Sequence, residues 1–226
     1  MTALVLQARM DSGRLPRKSM LPLGGRPLIY RVMEAFSFFP VDQKILACPH
    51  DCVDTFNALA DEAGFHIVPG PTDDVLERYS LAVKYSGAER IIRVTGDNPF
   101  VFTDAALSIH KEAMDLNADY AGYSSLPHGA GAEAVLSEAL LRAQKEAVSE
   151  YDREHVCPYL YNNPLLFHIH RPLVPKIWQG INMRITVDTP EDYKEAEKLY
   201  SLLSLLPLSE RNLGENIIKS WKTLYG

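Results

Sequence analysis

The sequence predicts an α/β fold built on a mostly parallel sheet. Short strand segments such as 90–95 (RIIRVT) recur through the first half of the chain, and the first of them, 3–8 (ALVLQA), is an apolar run without turn residues. Runs of this kind are typical of strands buried on both faces. Stretches with apolar residues at helical spacing separate them, and Gly, Pro, Asp and Asn mark the joins. The composition, 46% hydrophobic and 23% charged over 226 residues, is that of a soluble globular chain able to bury a sizeable core. It excludes disordered, collagen-like and disulfide-scaffold classes, which need a strongly biased composition.

Taken in order, 3–8 is the first strand, followed by a polar loop over 9–25 punctuated by Gly13, Pro16, Pro22, Gly24 and Gly25. Pro27 suits the first turn of a helix carrying Leu28, Val32, Ala35 and Phe36. A second strand falls at 44–47, and a helix through Val53, Phe56, Leu59 and Ala60 stops at Gly64. Residues 66–68 form a third strand. Thr72 or Asp73 caps a helix with Val75, Leu76, Tyr79 and Val83, ending near Gly87. The fourth strand, 90–95, runs into Gly96-Asp97-Asn98-Pro99, and Thr103 caps a helix over 104–115. Strands alternating with helices of this length indicate βαβ units. From 120 to about 171 the rhythm breaks into short strands, helices near 137–148 and 152–162, and a strand at 166–170. Residues 183–187 return as a strand, followed by Asp188-Thr189-Pro190, a helix to about 203 and a last helix over roughly 213–224. The chain reads as one domain, 1–226, with an inserted subregion at about 123–175.

The longest apolar stretch near the C-terminus, 200–208, contains Ser204 and Pro207 and is too short to span a bilayer. No basic residue precedes the apolar run at 2–6, so a signal peptide is not expected. Cys48, Cys52 and Cys157 form no C-x-x-C, and three cannot all pair; free thiols in a reducing cytoplasm are the expectation. The formal net charge of −6 argues against a general nucleic-acid or anionic-membrane binder, which needs a basic face. Its distribution is uneven. Residues 1–31 hold six cations (Arg9, Arg14, Arg17, Lys18, Arg26, Arg31) and one acid, Asp11, a local +5 against −11 for the remainder. Such a stretch suits a small, multiply charged anion, or a solvated loop that keeps the protein soluble.

Open parallel sheets bind ligands beyond the carboxyl ends of their strands. The loop after strand one, Gln7-Ala8-Arg9-Met10-Asp11-Ser12-Gly13-Arg14-Leu15-Pro16-Arg17-Lys18, offers hydroxyl, guanidinium and ammonium donors of the kind that neutralise a triphosphate. It holds neither G-x-G-x-x-G nor a Walker A sequence, which disfavours the dinucleotide and P-loop readings. Asp97 and Asp188 each follow a strand directly, and two such carboxylates facing a triphosphate suit Mg²⁺. Each also has a purely structural use: Asp97 braces a Gly-Asp-Asn-Pro turn, and Asp188 precedes a helix entry with Thr189 as N-cap and Pro190 at N1. His168 and His170 share a strand face, but no third ligand stands at a metal-motif spacing.

These pieces together resemble a known family. Gln7 to Lys18, continued by Leu21-Pro22-Leu23-Gly24-Gly25-Arg26-Pro27-Leu28, is similar to the N-terminal signature of the acylneuraminate cytidylyltransferases, in their SpsF-like spore-coat-polysaccharide branch. The similarity continues in order at Thr95-Gly96-Asp97-Asn98-Pro99, Pro127-His128-Gly129 with Glu133, Arg153-Glu154-His155-Val156 and Thr186-Val187-Asp188-Thr189-Pro190-Glu191-Asp192. The resemblance implies a Rossmann-like three-layer α/β/α nucleotidyltransferase fold. The activity it implies is transfer from CTP to a sugar acid, such as a nonulosonic acid, with release of pyrophosphate, in surface polysaccharide biosynthesis. It places Ala8 and Arg9 near the base and ribose, Ser12, Arg14 and Lys18 on the phosphates, and Mg²⁺ on Asp97 and Asp188. Gly129, Glu133 and His155 fall at the acceptor, and the inserted subregion at a homodimer contact. Many SpsF-like sequences read P-D-G-x-D-x-E where this chain has Pro127-His128-Gly129-Ala130-Gly131-Ala132-Glu133. Two acids are thus replaced, by His128 and Gly131. The alternatives are another nucleoside triphosphate, a non-sugar acceptor, or nucleotide binding without turnover.

Overall fold

The computed structural model of the protein describes residues 1–10, 13–180 and 182–226. Its first half alternates as the sequence predicts: β1 (Thr2–Gln7), a small hairpin of β2 (Pro22–Leu23) and β3 (Arg26–Pro27), α1 (Leu28–Ala35), β4 (Gln43–Pro49), α2 (Val53–Ala63), β5 (His66–Gly70), α3 (Val75–Ser86), β6 (Arg90–Thr95) and α4 (Thr103–Asp115). There follow β7 (Tyr120–Ala121), β8 (Glu133–Leu136), α5 (Ser137–Glu146), α6 (Glu150–His155), α7 (Pro158–Tyr161) and β9 (Ile169–His170). Helices α8 (Pro190–Leu203), α9 (Leu208–Arg211) and α10 (Gly214–Tyr225) close the chain.

The seven-stranded sheet runs β5-β4-β1-β6-β8-β7-β9. β1 pairs in parallel with β4 on one side and β6 on the other, whereas β8 is antiparallel to both β6 and β7. The chain leaves β1 for β4 and β5, then returns through α3 to β6, so strand order reverses beside β1. Loops leaving β1 and β6 diverge there and open a crevice at their carboxyl ends.

Alternation along β1 produces the layers. Leu4 and Leu6 pack with Leu28 and Val32 of α1, Phe56 of α2 and Leu199 and Leu203 of α8. Ala3 and Val5 face the other way, onto Leu76, Tyr79 and Val83 of α3 and Leu140 and Ala143 of α5. With helices on both faces, each β1 residue from Ala3 to Leu6 is fully buried, which explains its unbroken apolar run. This is the three-layer α/β/α arrangement.

Several elements differ from their sequence expectation. Asp74, not Thr72 or Asp73, caps α3 by accepting the Glu77 N–H at 2.9 Å. Pro27 belongs to β3, just ahead of α1. Thr103 is the first residue of α4 rather than its cap, and its hydroxyl donates to the Asn212 carbonyl at 3.1 Å. The helix expected over 152–162 is split into α6 and α7, because Val156 adopts φ 73°, which a continuous right-handed helix does not allow. The strand at 166–170 shrinks to β9. Residues 183–187 are extended but join no sheet: Ile185 N–H donates to His128 O and Val187 N–H to Asp97 O, each at 2.8 Å. Their partners are loops, so alternation alone does not make them a strand. Among the described residues, no helix is long and apolar enough to cross a membrane.

Candidate functional site

A cleft of about 490 Å³ occupies the crevice beyond β1 and β6. Gly96 brings its two walls together. The Gly96 N–H donates to the Gln7 carbonyl at 2.8 Å, and a Cβ at Gly96 would stand 2.8 Å from that same oxygen. Only glycine permits this approach. The turn is fixed by Asn98, whose side-chain amide donates to Thr95 Oγ1 at 2.6 Å, and Asp97 is presented between them. The loop after β1 is tied down by Ser19, whose hydroxyl donates to the Arg9 carbonyl at 2.8 Å. A short 3-10 turn at Lys18–Met20 then directs Lys18 back into the cleft.

Lys18 Nζ stands between the two aspartates. It donates to Asp97 Oδ2 at 3.1 Å, Asp188 Oδ1 at 2.9 Å and the Val187 carbonyl at 3.0 Å. Asp188 Oδ1 also faces Arg14 Nη2 at 3.4 Å, while its Oδ2 accepts from Arg184 Nη2 at 2.9 Å. Asp192 anchors this arrangement. Its carboxylate accepts the backbone N–H groups of Asp188 and Thr189 at 3.0 Å and holds Arg184 Nε at 2.9 Å. Thr189 and Asp192 form the capping box of α8, so the structural use of this segment and its orientation of Asp188 coincide. Burial pushes the Asp188 carboxyl up, but Lys18, Arg14 and Arg184 outweigh it and hold the group below the usual carboxylate range.

The donor set fits a hard divalent cation. Asp97 and Asp188 already converge on one positive charge, the Lys18 ammonium. Among the described residues no group of three or more His, Cys, Asp or Glu is placed to hold a metal. Two carboxylates, completed by water and phosphate oxygens, are what Mg²⁺ characteristically takes from a protein.

Of the residues singled out in the sequence, Ala8, Arg9, Arg14, Lys18, Asp97, Asp188 and His155 line the cleft together. Ser12 lies outside the described residues. Gly129 and Glu133 are not on its wall. Gly129 turns at φ 97° against the backbone of Ile185 and Thr186, where a Cβ would approach Thr186 N to 2.4 Å. Glu133, on β8, is ion-paired with Arg93 of β6 and accepts the Tyr120 hydroxyl at 2.7 Å. Arg93, which does line the cleft, also donates to Gln7 Oε1 at 3.1 Å. Burial opposes the charge of Arg93, and Glu133 keeps the guanidinium protonated.

Sequence reasoning missed Arg78, Arg93 and Arg184. Arg78 is 1% exposed. Its Nη1 donates to the carbonyls of Pro71 and Thr72 at 3.0 and 2.9 Å, and its Nε is buried without a partner. Burial lowers its pKa. A guanidinium so enclosed at a cleft wall is costly unless something in the cleft accepts from it. A signal was present: Val75, Arg78, Tyr79 and Ala82 share the buried face of α3, a place where arginine rarely sits.

A family model described as Cytidylyltransferase matches residues 3–213. Spore coat polysaccharide biosynthesis protein SpsF of Bacillus subtilis (strain 168) is 30% identical over 204 residues, covering 87% of this chain and 85% of that protein. Among solved structures, a cytidylyltransferase from Leptospira borgpetersenii serovar Hardjo-bovis (strain JB197) superposes with a TM-score of 0.84 at 24% identity, over 99% of this chain and 94% of that one. The CMP:2-keto-3-deoxy-manno-octonic acid synthetase complexed with CTP superposes at 0.68 and 16% identity, over 88% and 98%. These last two likenesses bear on the fold, which is the Rossmann-like fold of nucleotidyltransferases. By the match over residues 3–213, the chain belongs to the cytidylyltransferase family.

Proposed function

We propose that the protein transfers the cytidylyl group of CTP to a sugar acid, giving a CMP-sugar and pyrophosphate for surface polysaccharide biosynthesis. The observation that carries this reading is the cluster at the switch point, where Lys18 stands between Asp97 and Asp188. Around it Arg9, Arg14 and Arg78 line one cleft. CTP is the nucleotide named with the structurally similar octonic acid synthetase, and SpsF is named for polysaccharide biosynthesis.

In this reading Ala8, Arg9, Ser12, Arg14 and Lys18 bind the nucleotide, with Arg78 as an added donor from α3. The acceptor hydroxyl oxygen bonds to the α-phosphorus as the bond to the β-phosphate oxygen breaks; its proton is released and pyrophosphate departs. Arg14 and Lys18 neutralise charge on the departing pyrophosphate, and positioning supplies most of the remaining rate. Asp97 and Asp188 would hold Mg²⁺, which supplies charge neutralisation at the phosphate oxygens. His155 and His128 face the acceptor side of the cleft. Glu133 supports it from behind through Arg93, and Gly129 through the backbone of residues 185–186. The chain acts as one cytoplasmic unit, with residues of about 123–175 joining a homodimer; the exposed Leu165 and Leu173 within that stretch support such a contact.

The reading is tested by thermal shift with CTP, UTP, ATP, GTP and NAD⁺, each with and without Mg²⁺. At a hundredfold excess over Kd a ligand stabilises by about 2.7 kcal/mol, or roughly 5–11 °C for a chain of this size at 2–4 °C per kcal/mol. A magnesium-dependent shift with CTP alone is expected. A larger shift with another nucleotide overturns the choice of base, and no shift with any of them overturns nucleotide binding.

A further inference from the structure

All three donors of the Lys18 ammonium are committed: one to each aspartate and one to the Val187 carbonyl. An ammonium has no fourth donor, so in this state Lys18 has none free for a phosphate oxygen. It also stands between Asp97 and Asp188, bonded to one oxygen of each. Two roles that the proposed function gives to this small region, a cation on the aspartates and a phosphate on Lys18, therefore both compete with this one set of contacts.

We propose that Lys18 is an exchangeable counter-ion: it neutralises Asp97 and Asp188 until nucleotide phosphates draw it away, so that divalent cation and nucleotide each depend on the other to bind. The inference rests on the reading of the cleft as a nucleotide site and concerns the order in which that site fills. Neighbouring cations cannot replace Lys18. Arg14 is 68% exposed and 3.4 Å from Asp188 Oδ1, too distant and too hydrated to neutralise both aspartates. Arg184 is on the opposite oxygen, Oδ2, and is held by Asp192, so it stays with Asp188 in either state and fixes the carboxylate's direction. Lysine suits an exchange better than arginine, being a compact charge on a flexible stem with no fork to realign. The departure of Lys18 leaves two carboxylates facing each other, which an entering divalent cation compensates.

The test uses Mn²⁺ as the probe, with free ion measured by electron paramagnetic resonance in the absence of nucleotide. Wild type is expected to bind Mn²⁺ weakly, and Lys18→Met at least about tenfold more tightly, a gain of about 1.4 kcal/mol. Lys18→Arg, which keeps the charge, stays near wild type. Adding Asp97→Asn to Lys18→Met removes the gain, which locates it. Equal or weaker Mn²⁺ binding by Lys18→Met overturns the inference. Should that variant not fold, wild type alone decides: tight, micromolar-range Mn²⁺ binding without nucleotide overturns it, and weak binding that CTP strengthens beyond what the same CTP binds in the absence of protein supports it. A Lys18→Met gain in Mn²⁺ affinity together with no CTP binding by wild type leaves the competition standing and removes the nucleotide reading instead.

Discussion

Replacing Glu133 separates a residue that touches substrate from one that supports the cleft. Glu133 and Arg93 have side chains 21% and 14% exposed and are directly ion-paired, with the Tyr120 hydroxyl on the second carboxylate oxygen. Glu133→Gln keeps the shape and the contact to Tyr120 but leaves the Arg93 charge buried without its counter-ion. Breaking a buried pair costs about 3–5 kcal/mol, and the residual solvent contact here places the loss near 3. At roughly 2–4 °C per kcal/mol the thermal midpoint falls by about 6–12 °C. The assay is circular-dichroism melting of wild type, Glu133→Gln, Arg93→Met and the double variant. Truncating both partners removes the stranded charge, so the double variant recovers at least half of the loss seen with Glu133→Gln, a coupling that single variants cannot imitate. An unchanged midpoint for Glu133→Gln, with a raised acceptor KM in the folded enzyme, would refute the supporting role and return Glu133 to the acceptor itself.

Further outcomes follow from other contacts. Gly129→Ala forces a Cβ onto the backbone of Ile185 and Thr186 at a positive φ; it is expected to lower stability by about 1–3 kcal/mol and to weaken cation binding through Asp188. Gly13→Ala, with nothing within 4 Å, serves as the control, and equal midpoints for the two would contradict the packing argument. Arg78→Met is expected to weaken CTP binding by at least about tenfold, or 1.4 kcal/mol, measured by calorimetry, and Arg78→Lys does not restore it because the fork is lost. Unchanged affinity would remove Arg78 from the nucleotide site. The folded-state pKa values of Asp188 and Asp192 are depressed below the ordinary 3.8. Their contribution is therefore fully present above pH of about 4 and is lost as pH falls through the lowered folded values. Urea midpoints of Arg184→Met should fall less steeply over that acid window than those of wild type; parallel curves would show that Arg184 does not set these carboxyls.

How far the sequence could be read depended on how local each cause is. β1 is legible because a strand covered on both faces must be apolar throughout, and Gly64 and Gly87 mark helix ends by taking a positive φ. Lys18, Asp97 and Asp188 are legible because each follows a recognisable strand or turn. The antiparallel entry of β8 beside β6 is not, since two- and four-residue strands carry too little pattern to show their partner. Residues 183–187 look like a strand because they alternate and precede a helix cap, yet what they pair with is settled by loops distant in sequence, at His128 and Asp97. Arg78 and Arg93 escaped notice for a related reason. Within a helix and a strand of ordinary periodicity, a buried arginine is distinguished only by the partner it meets in three dimensions.

The most direct test of the account is to follow the phosphorus of CTP by ³¹P nuclear magnetic resonance, with Mg²⁺ and a panel of sugar acids including 2-keto-3-deoxy-manno-octonic acid. The α-phosphorus signal is expected to convert to that of a phosphodiester as pyrophosphate appears in equal amount, and Asp97→Asn and Asp188→Asn to abolish both changes while remaining folded. CTP that stays intact with every acceptor offered, or turnover that persists in both aspartate variants, would contradict it.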